Sequence, residues 1–250
     1  MAFKMIDAGT AIGASLPVRC GRWVKDHFVE VFLTSSGTTK ITAATVILQG
    51  GSTNPTTCVS TNPSLADGST AQRIANGAFY YQIDGTNYTI GANATGTVVT
   101  HVNGTALTQT ITGSKFGGVV VVANAAGAIR VIPPANGVAT GVQAYDSAEA
   151  LNLVLDAIVP TSGWCYLGKL VITAAGGGFT WGTTALTGVS TFYDASCPYH
   201  NLQTYALDAT DITNQQGSFS LTNKHVDFVR VYLSALTGAG YVSVKYTPTA

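Results

Sequence analysis

The chain has 250 residues, 46 % of them hydrophobic, and its 12 Lys and Arg balance 12 Asp and Glu. Charged residues make up only 10 %, against roughly 25 % in an ordinary soluble protein, and Thr, Ser, Asn, Ala and Gly fill the gap. Zero net charge removes the basic footprint of a partner for nucleic acid or an anionic membrane, while a neutral surface favours self-association and a homo-oligomer.

Residues 1–22 alternate weakly and read as an arm or a first short strand. Trp23 to Leu33 is a strand, a turn follows at Ser35-Ser36-Gly37, and Lys40 to Gln49 is a second strand closed by Gly50-Gly51-Ser52. Thr53 to Thr70, rich in Asn, Pro, Ser and Thr, is expected as a long surface loop carrying the passage between domains. Phe79 to Ile83 and Thr86 to Ile90 flank Asp84-Gly85, the dipeptide of a two-residue hairpin, because both turn positions tolerate positive φ. Thr97 to Val102, Leu107 to Ile111, Gly118 to Ala123 and Ala128 to Ile132 are further strands, and Pro133-Pro134 stops the last.

One short helix is predicted near 147–159. Asp146 and Glu149 form a capping-box-like start, Leu151, Val154, Leu155 and Ile158 recur at helical spacing, and Pro160 ends it. Trp164 to Thr173 alternates as a strand, Gly176-Gly177-Gly178 turns, and Phe179 to Thr184 returns. Thr191 to Tyr205 reads as loop or edge strand, Phe219 to Leu221 as a short strand, and Val226 to Leu233 and Tyr241 to Tyr246 as the last two.

The stretch Phe28-Val29-Glu30-Val31-Phe32-Leu33 recurs as Phe228-Val229-Arg230-Val231-Tyr232-Leu233, at an offset of 228 − 28 = 200. Alternation along an extended chain puts Val29, Val31 and Leu33 in one apolar row and Val229, Val231 and Leu233 in another. The fold class is therefore all-β: a β-sandwich formed by both chain ends, with an inserted β domain carrying one short helix. The expected division is 1–75 together with 192–250, and 76–191 between them. Glu30 and Arg230 lie opposite the valine rows and are expected either to approach each other or each to ion-pair beside the insertion.

The most apolar run, from Val119 to Ile132, is broken by Asn124 and Arg130 and is shorter than the roughly 20 residues of a membrane span. Asp7 and Thr10 interrupt any apolar leader, so no secretion is expected. Asn87, Asn93 and Asn103 open triplets of the glycosylation type, which Thr-rich chains generate by chance. Cys20, Cys58, Cys165 and Cys197 are widely spaced and are expected as reduced thiols.

Several constellations suggest chemistry and are outweighed. Cys197-Pro198-Tyr199-His200 has the spacing of half a zinc site, but His27, His101 and His225 are scattered, so no metal and no cofactor is expected. Cys20 or Cys165 as a nucleophile would need a positioned base, and each is better read as a small buried hydrophobe. Asp194 with Asp208 or Asp211 could form a carboxylate pair, but capping and turn roles suit them better. The Gly176 to Gly178 run lacks the following Lys-Ser/Thr of a phosphate loop. Trp181, Tyr193, Tyr199 and Tyr205 sit in loop-like surroundings as surface or interface aromatics, where they would stack on sugar or pack in a core or subunit interface.

The section from Gly77 to Ala195 resembles a recurrent module of tailed-bacteriophage virion proteins. The residues that carry the likeness are Phe79 or Tyr80 as the opening aromatic, Asp84, Gly85 and Tyr88 of the hairpin, Gly127, the Ala148 to Leu155 helix, and Gly163 to Gly168. Phe179, Gly182, Thr183, Thr184 and Leu186 complete it, although Trp164-Cys165 stands where small or aliphatic residues are commoner. The flanks, ending at Gly50-Gly51-Ser52 and spanning Val229 to Gly238, resemble a sandwich used in the same kind of protein. The resemblance implies a non-enzymatic particle component, a capsid decoration subunit or a head or tail fibre, with no catalytic residues to carry over. Its partners would be the major capsid protein or other virion proteins, and its place the virion, assembled in the host cytoplasm. The alternative is a carbohydrate- or receptor-binding fibre or tail-tip module.

Overall fold

The computed structural model describes residues 4–9, 13–15, 18–19, 26–36, 38, 40–51, 55–69, 72–222 and 226–249. Cys20, Trp23, Gly37, Ser52 and His225, on which expectations rested, lie outside the described residues. The fold is predominantly β, with three short helices among the described residues. It divides into two compact units. The first contains Met1–Thr56, the hairpin tip Gly85–Asn87 and Cys197–Ala250, and the second contains Thr57–Asp84 and Tyr88–Ser196.

In the first unit two sheets share one apolar core. One runs in the order Lys4–Gly9, Gly240–Thr249, Asp26–Ser35, Gln216–Leu221. The other runs His200–Ala206, Ala43–Gly51, Phe228–Thr237, Gly13–Ala14, with Val18–Arg19 also pairing with Phe228–Thr237. The two copies of the repeated hexapeptide thus sit in different sheets. Val29, Val31 and Leu33 meet Val229, Val231 and Leu233 in the same cluster, joined by Val46, Leu48, Val242, Val244 and Tyr246. Each fully buried Val or Leu here contributes about 1.5–3 kcal/mol. The hairpin tip is fastened by Asn87, whose Nδ2 donates to Ala14 O at 2.7 Å and whose Oδ1 accepts from the Ala14 N–H at 2.9 Å.

The second unit is built on a four-stranded antiparallel sheet ordered Ile129–Ile132, Phe116–Asn124, Trp164–Thr173, Ser190–Asp194. Val119 to Ala123 are all buried, because the sheet is covered on both faces. Val119, Val121 and Ala123 enter the main core, whereas Val120 and Val122 meet Leu151 and Leu155 of a helix. A bulge at Gly168, where φ is +148°, shifts the register between Val121 and Val122. That shift explains why Cys165 and Leu167 share the main core with Leu170 and Ile172, three and five residues beyond Leu167. A side chain at Gly168 would strike Tyr193 O at 2.3 Å.

Three points correct the sequence reading. The region expected as a long loop instead holds the short strands Cys58–Val59, which pairs with Phe79–Ile83, and Ala66–Asp67, which pairs with Arg73–Asn76, itself paired on its other side with Asn93–Val98. They bury Val59, Leu65 and Ile74 in the second unit, so its boundary falls at 56/57 rather than 75/76, and its end at 196/197 rather than 191/192. The strand Phe179–Thr180 pairs with Thr110–Ile111, not back onto Trp164–Thr173.

The third point is that one predicted helix becomes three: α1 (Ala135–Thr140), α2 (Ala148–Asp156) and α3 (Ala209–Asn214). The cap of α2 is Ser147, whose side chain accepts from the Ala150 N–H. Asp146 instead ion-pairs with Lys115, which holds its carboxyl below the usual carboxylate range. The Asp84-Gly85 hairpin forms as read, with φ of 49° and 80°.

Candidate functional site

Of the four aromatics singled out, only Tyr193 and Tyr205 reach solvent. Trp181 is buried in the core of the second unit, edge-on to Phe179 with ring centroids 5.1 Å apart. Tyr199 is buried under the Arg230 guanidinium, 4.1 Å from its ring centroid. Both rings thus take core packing, not the exposed position in which they would stack on sugar, for one reason: each ring is worth more in a dry contact than beside water. Tyr193 is 42 % exposed, with Lys169 Nζ 5.5 Å from its ring centroid. Tyr205 stacks on Phe219 and its hydroxyl donates to Asp211 Oδ2 at 2.7 Å. Loss of water, then the Asp211 hydrogen bond and charge, pushes the Tyr205 hydroxyl up to about 12.

Arg230 projects from the core-lining strand Phe228–Thr237 to the other side of its sheet and is nonetheless fully buried. Its Nε donates to Gln49 Oε1 at 2.8 Å and its Nη2 to Cys197 Sγ at 3.2 Å, while Gln49 Nε2 donates to Asn201 Oδ1 at 2.8 Å. Glu30, its counterpart in the repeat, ion-pairs with Lys245 at 2.7 Å across the neighbouring strand. Glu30 thus ion-pairs as the second expectation has it, while the contacts named for Arg230 are to uncharged groups.

The other constellations resolve into local roles. Cys197 is engaged by Arg230 and His200 is exposed, and no group of three metal-ligating side chains occurs among the described residues. Cys58, Cys165 and Cys197 are free thiols. Burial first, then neighbouring Cys58, pushes the Cys165 thiol up to about 12, far from a thiolate nucleophile. Asp208 caps α3 in a capping box with Asp211, and Asp194 Oδ1 accepts from the Leu65 N–H at 2.8 Å.

The strand ends differ in how their edges are closed. In the first unit the terminal strands His200–Ala206 and Gln216–Leu221 lie side by side, bridged by the Tyr205–Phe219 stack, and the former carries a register shift between Asn201 and Gln203. The terminal strand Ser190–Asp194 of the second unit runs in unbroken register with Trp164–Thr173 and has no Lys and no Pro. Those are the devices that usually protect an edge from pairing with another chain. Tyr193 stands out from it.

A hollow of about 220 Å³ opens elsewhere in the second unit, lined in part by His101, Leu107, Thr108, Gln109, Gly137 and Val138. Beneath it two buried glutamines are linked, Gln143 Nε2 donating to Gln109 Oε1 at 2.7 Å. Sequence reasoning missed this pair, since its members lie 34 positions apart on different elements with no local pattern joining them. The chain matches no protein-family model, and no curated protein or solved structure is significantly similar to it.

Proposed function

We propose that this chain is a non-enzymatic structural component of a phage particle, a capsid decoration or cement-type subunit on the outer shell. The observation that carries the reading is the Ser190–Asp194 edge, a terminal strand without Lys, Pro or a register shift and with an exposed Tyr193, on a chain of zero net charge. Such an edge adds a strand from a partner through main-chain hydrogen bonds, with the aromatic as anchor. The likeness of the 77–195 section and its flanks to virion modules supplies the kind of partner: a shell protein or a second copy of this chain. Binding that favours the assembled state stabilises the shell by mass action.

Quantitative mass spectrometry of purified particles from the source of this gene tests the reading. A copy number comparable to the major shell protein supports decoration, a small fraction of it points to a fibre or tail tip, and absence from the particle removes the virion reading. The second reading, a carbohydrate- or receptor-binding module, is favoured by one observation, the hollow at Gln109.

A further inference from the structure

The hollow beside Gln109 has a donor whose direction is set from beneath. The Gly118 N–H, which can only donate, gives its hydrogen to Gln143 Oε1 at 2.6 Å. Gln143 must then present its Nε2 to Gln109 Oε1, which leaves the Gln109 Nε2 as the uncommitted end of a side chain that lines the hollow. Gln109 is only 9 % exposed, and its Nε2 has no protein partner among the described residues while remaining open to the hollow. A donor that opens into a hollow and has no protein partner is one from which a ligand carbonyl can accept in place of water.

The rest of the lining is complementary. His101 Nδ1 accepts from the Asn103 N–H at 3.2 Å, which assigns the ring hydrogen to Nε2 and makes it a second donor. Thr108 is exposed, with its hydroxyl uncommitted among the described residues. Leu107 and Val138, the latter 59 % exposed, supply an apolar wall. Gly137 lets α1 lie against the glutamines, since a Cβ there would come within 2.8 Å of Gln109 Oε1 and 2.9 Å of Gln143 Cγ. No Lys, Arg, Asp or Glu lines the hollow among the described residues.

We infer that this hollow binds an uncharged sugar ring bearing an acetamido group, an N-acetylhexosamine. Its acetamido carbonyl accepts from Gln109 Nε2, its methyl rests on Leu107 and Val138, and its ring hydroxyls take up His101 and Thr108. The volume, below the roughly 300–1,000 Å³ of a drug-sized site, suits one ring. The absence of lining charge disfavours acidic sugars. An acetylated lysine would satisfy the carbonyl and methyl positions but leave His101 and Thr108 unmatched. The site stands apart from the particle reading, because a chain absent from particles could still carry it.

The test is saturation-transfer NMR on the full chain with methyl N-acetylglucosaminide, methyl N-acetylgalactosaminide, methyl glucoside and N-acetyl-lysine methyl ester. Expected is binding of an acetamido sugar, strongest saturation at its acetamido methyl, and affinity at least about tenfold above methyl glucoside. Gln109→Leu should remove that preference. Because Gln109 also holds Gln143, Val138→Trp is the independent variant: it plugs the hollow from an exposed position and should abolish binding with an unchanged Tm. Equal binding of methyl glucoside, binding of the lysine ester alone, no binding of any probe, or binding that survives Val138→Trp would each overturn the inference.

Discussion

Replacing Arg230 by Ala removes a buried guanidinium from Tyr199, Gln49 and Cys197 at once. The stack on Tyr199 at 4.1 Å is a desolvated cation–π contact of about 2 kcal/mol. The 2.8 Å bond to Gln49 is a hydrogen bond to a charged group of about 1.5–3 kcal/mol. The weaker contact to Cys197 Sγ and the lost packing of the stem add to these, so the cost is about 3–5 kcal/mol, in line with breaking other buried charged contacts. Gln49, itself buried, keeps its bond to Asn201 but loses the donor to its Oε1. In a unit of a little over a hundred residues, at roughly 4 °C per kcal/mol, the first unit's melting transition should fall by about 12–20 °C. Differential scanning calorimetry on the whole chain reads this directly, because the transition of the second unit should stay in place. Arg230→Lys should recover only part of the loss, since an ammonium lacks both the fork and the flat stacking surface. A shift of less than about 4 °C in the Ala variant, or full recovery by Lys, would refute this account of why a charge lies buried there.

Three further outcomes are expected. Leu151→Ala, emptying the fully buried contact of α2 with Val120 and Val122, should cost about 2–5 kcal/mol in urea unfolding. Leu153→Ala on the same helix, at a residue 75 % exposed, should stay within about 0.5 kcal/mol. Tyr81 and Tyr205 both have hydroxyls pushed up to about 12, Tyr81 mainly by burial. Each therefore holds its proton more tightly folded than unfolded, and the stability these two groups contribute should be level below about pH 10 and fall from there toward pH 12. Tyr205→Phe should flatten part of that alkaline fall, as denaturant melts at pH 9 and 11.5 would show. Peptide mapping after brief alkylation of the native chain should find Cys197 labelled and Cys58 and Cys165 protected, following their burial.

The parts of the fold that the sequence announced are those in which local pattern and tertiary packing agree. The Asp84-Gly85 hairpin, the valine rows of the repeated hexapeptide and the apolar stripe of α2 are of that kind. What escaped was decided across the chain. The bulge at Gly168 re-phases a strand whose alternation otherwise looks regular, and only a partner strand could show it. Helix α1, six residues including Gly137 and Val138, has poor intrinsic propensity, and its left-handed end at Gly141 is its one local signal. Asp208 and Asp211 were legible as caps, though not the helix that they cap. Arg230 gave no hint of burial, because its neighbours Gln49 and Tyr199 come from opposite ends of the sequence. The Gln109–Gln143 pair is silent for the same reason.

The second unit leaves the first between two strands that are direct neighbours: Ala43–Gly51 and His200–Ala206 pair with Gly50 opposite His200. Strand 43–51 is therefore synthesised 200 − 51 = 149 residues ahead of the first strand it can pair with in that sheet's far half. At about 5–20 residues per second the wait is about 7–30 s, far longer than the collapse of a short chain, about 0.1–1 μs. The interrupting segment meets no such delay, since its own strands follow one another off the ribosome. Nascent chains should thus carry a finished centre beside valine-rich strands still unsealed, and the last fifty residues act as the closure that makes the outer unit possible.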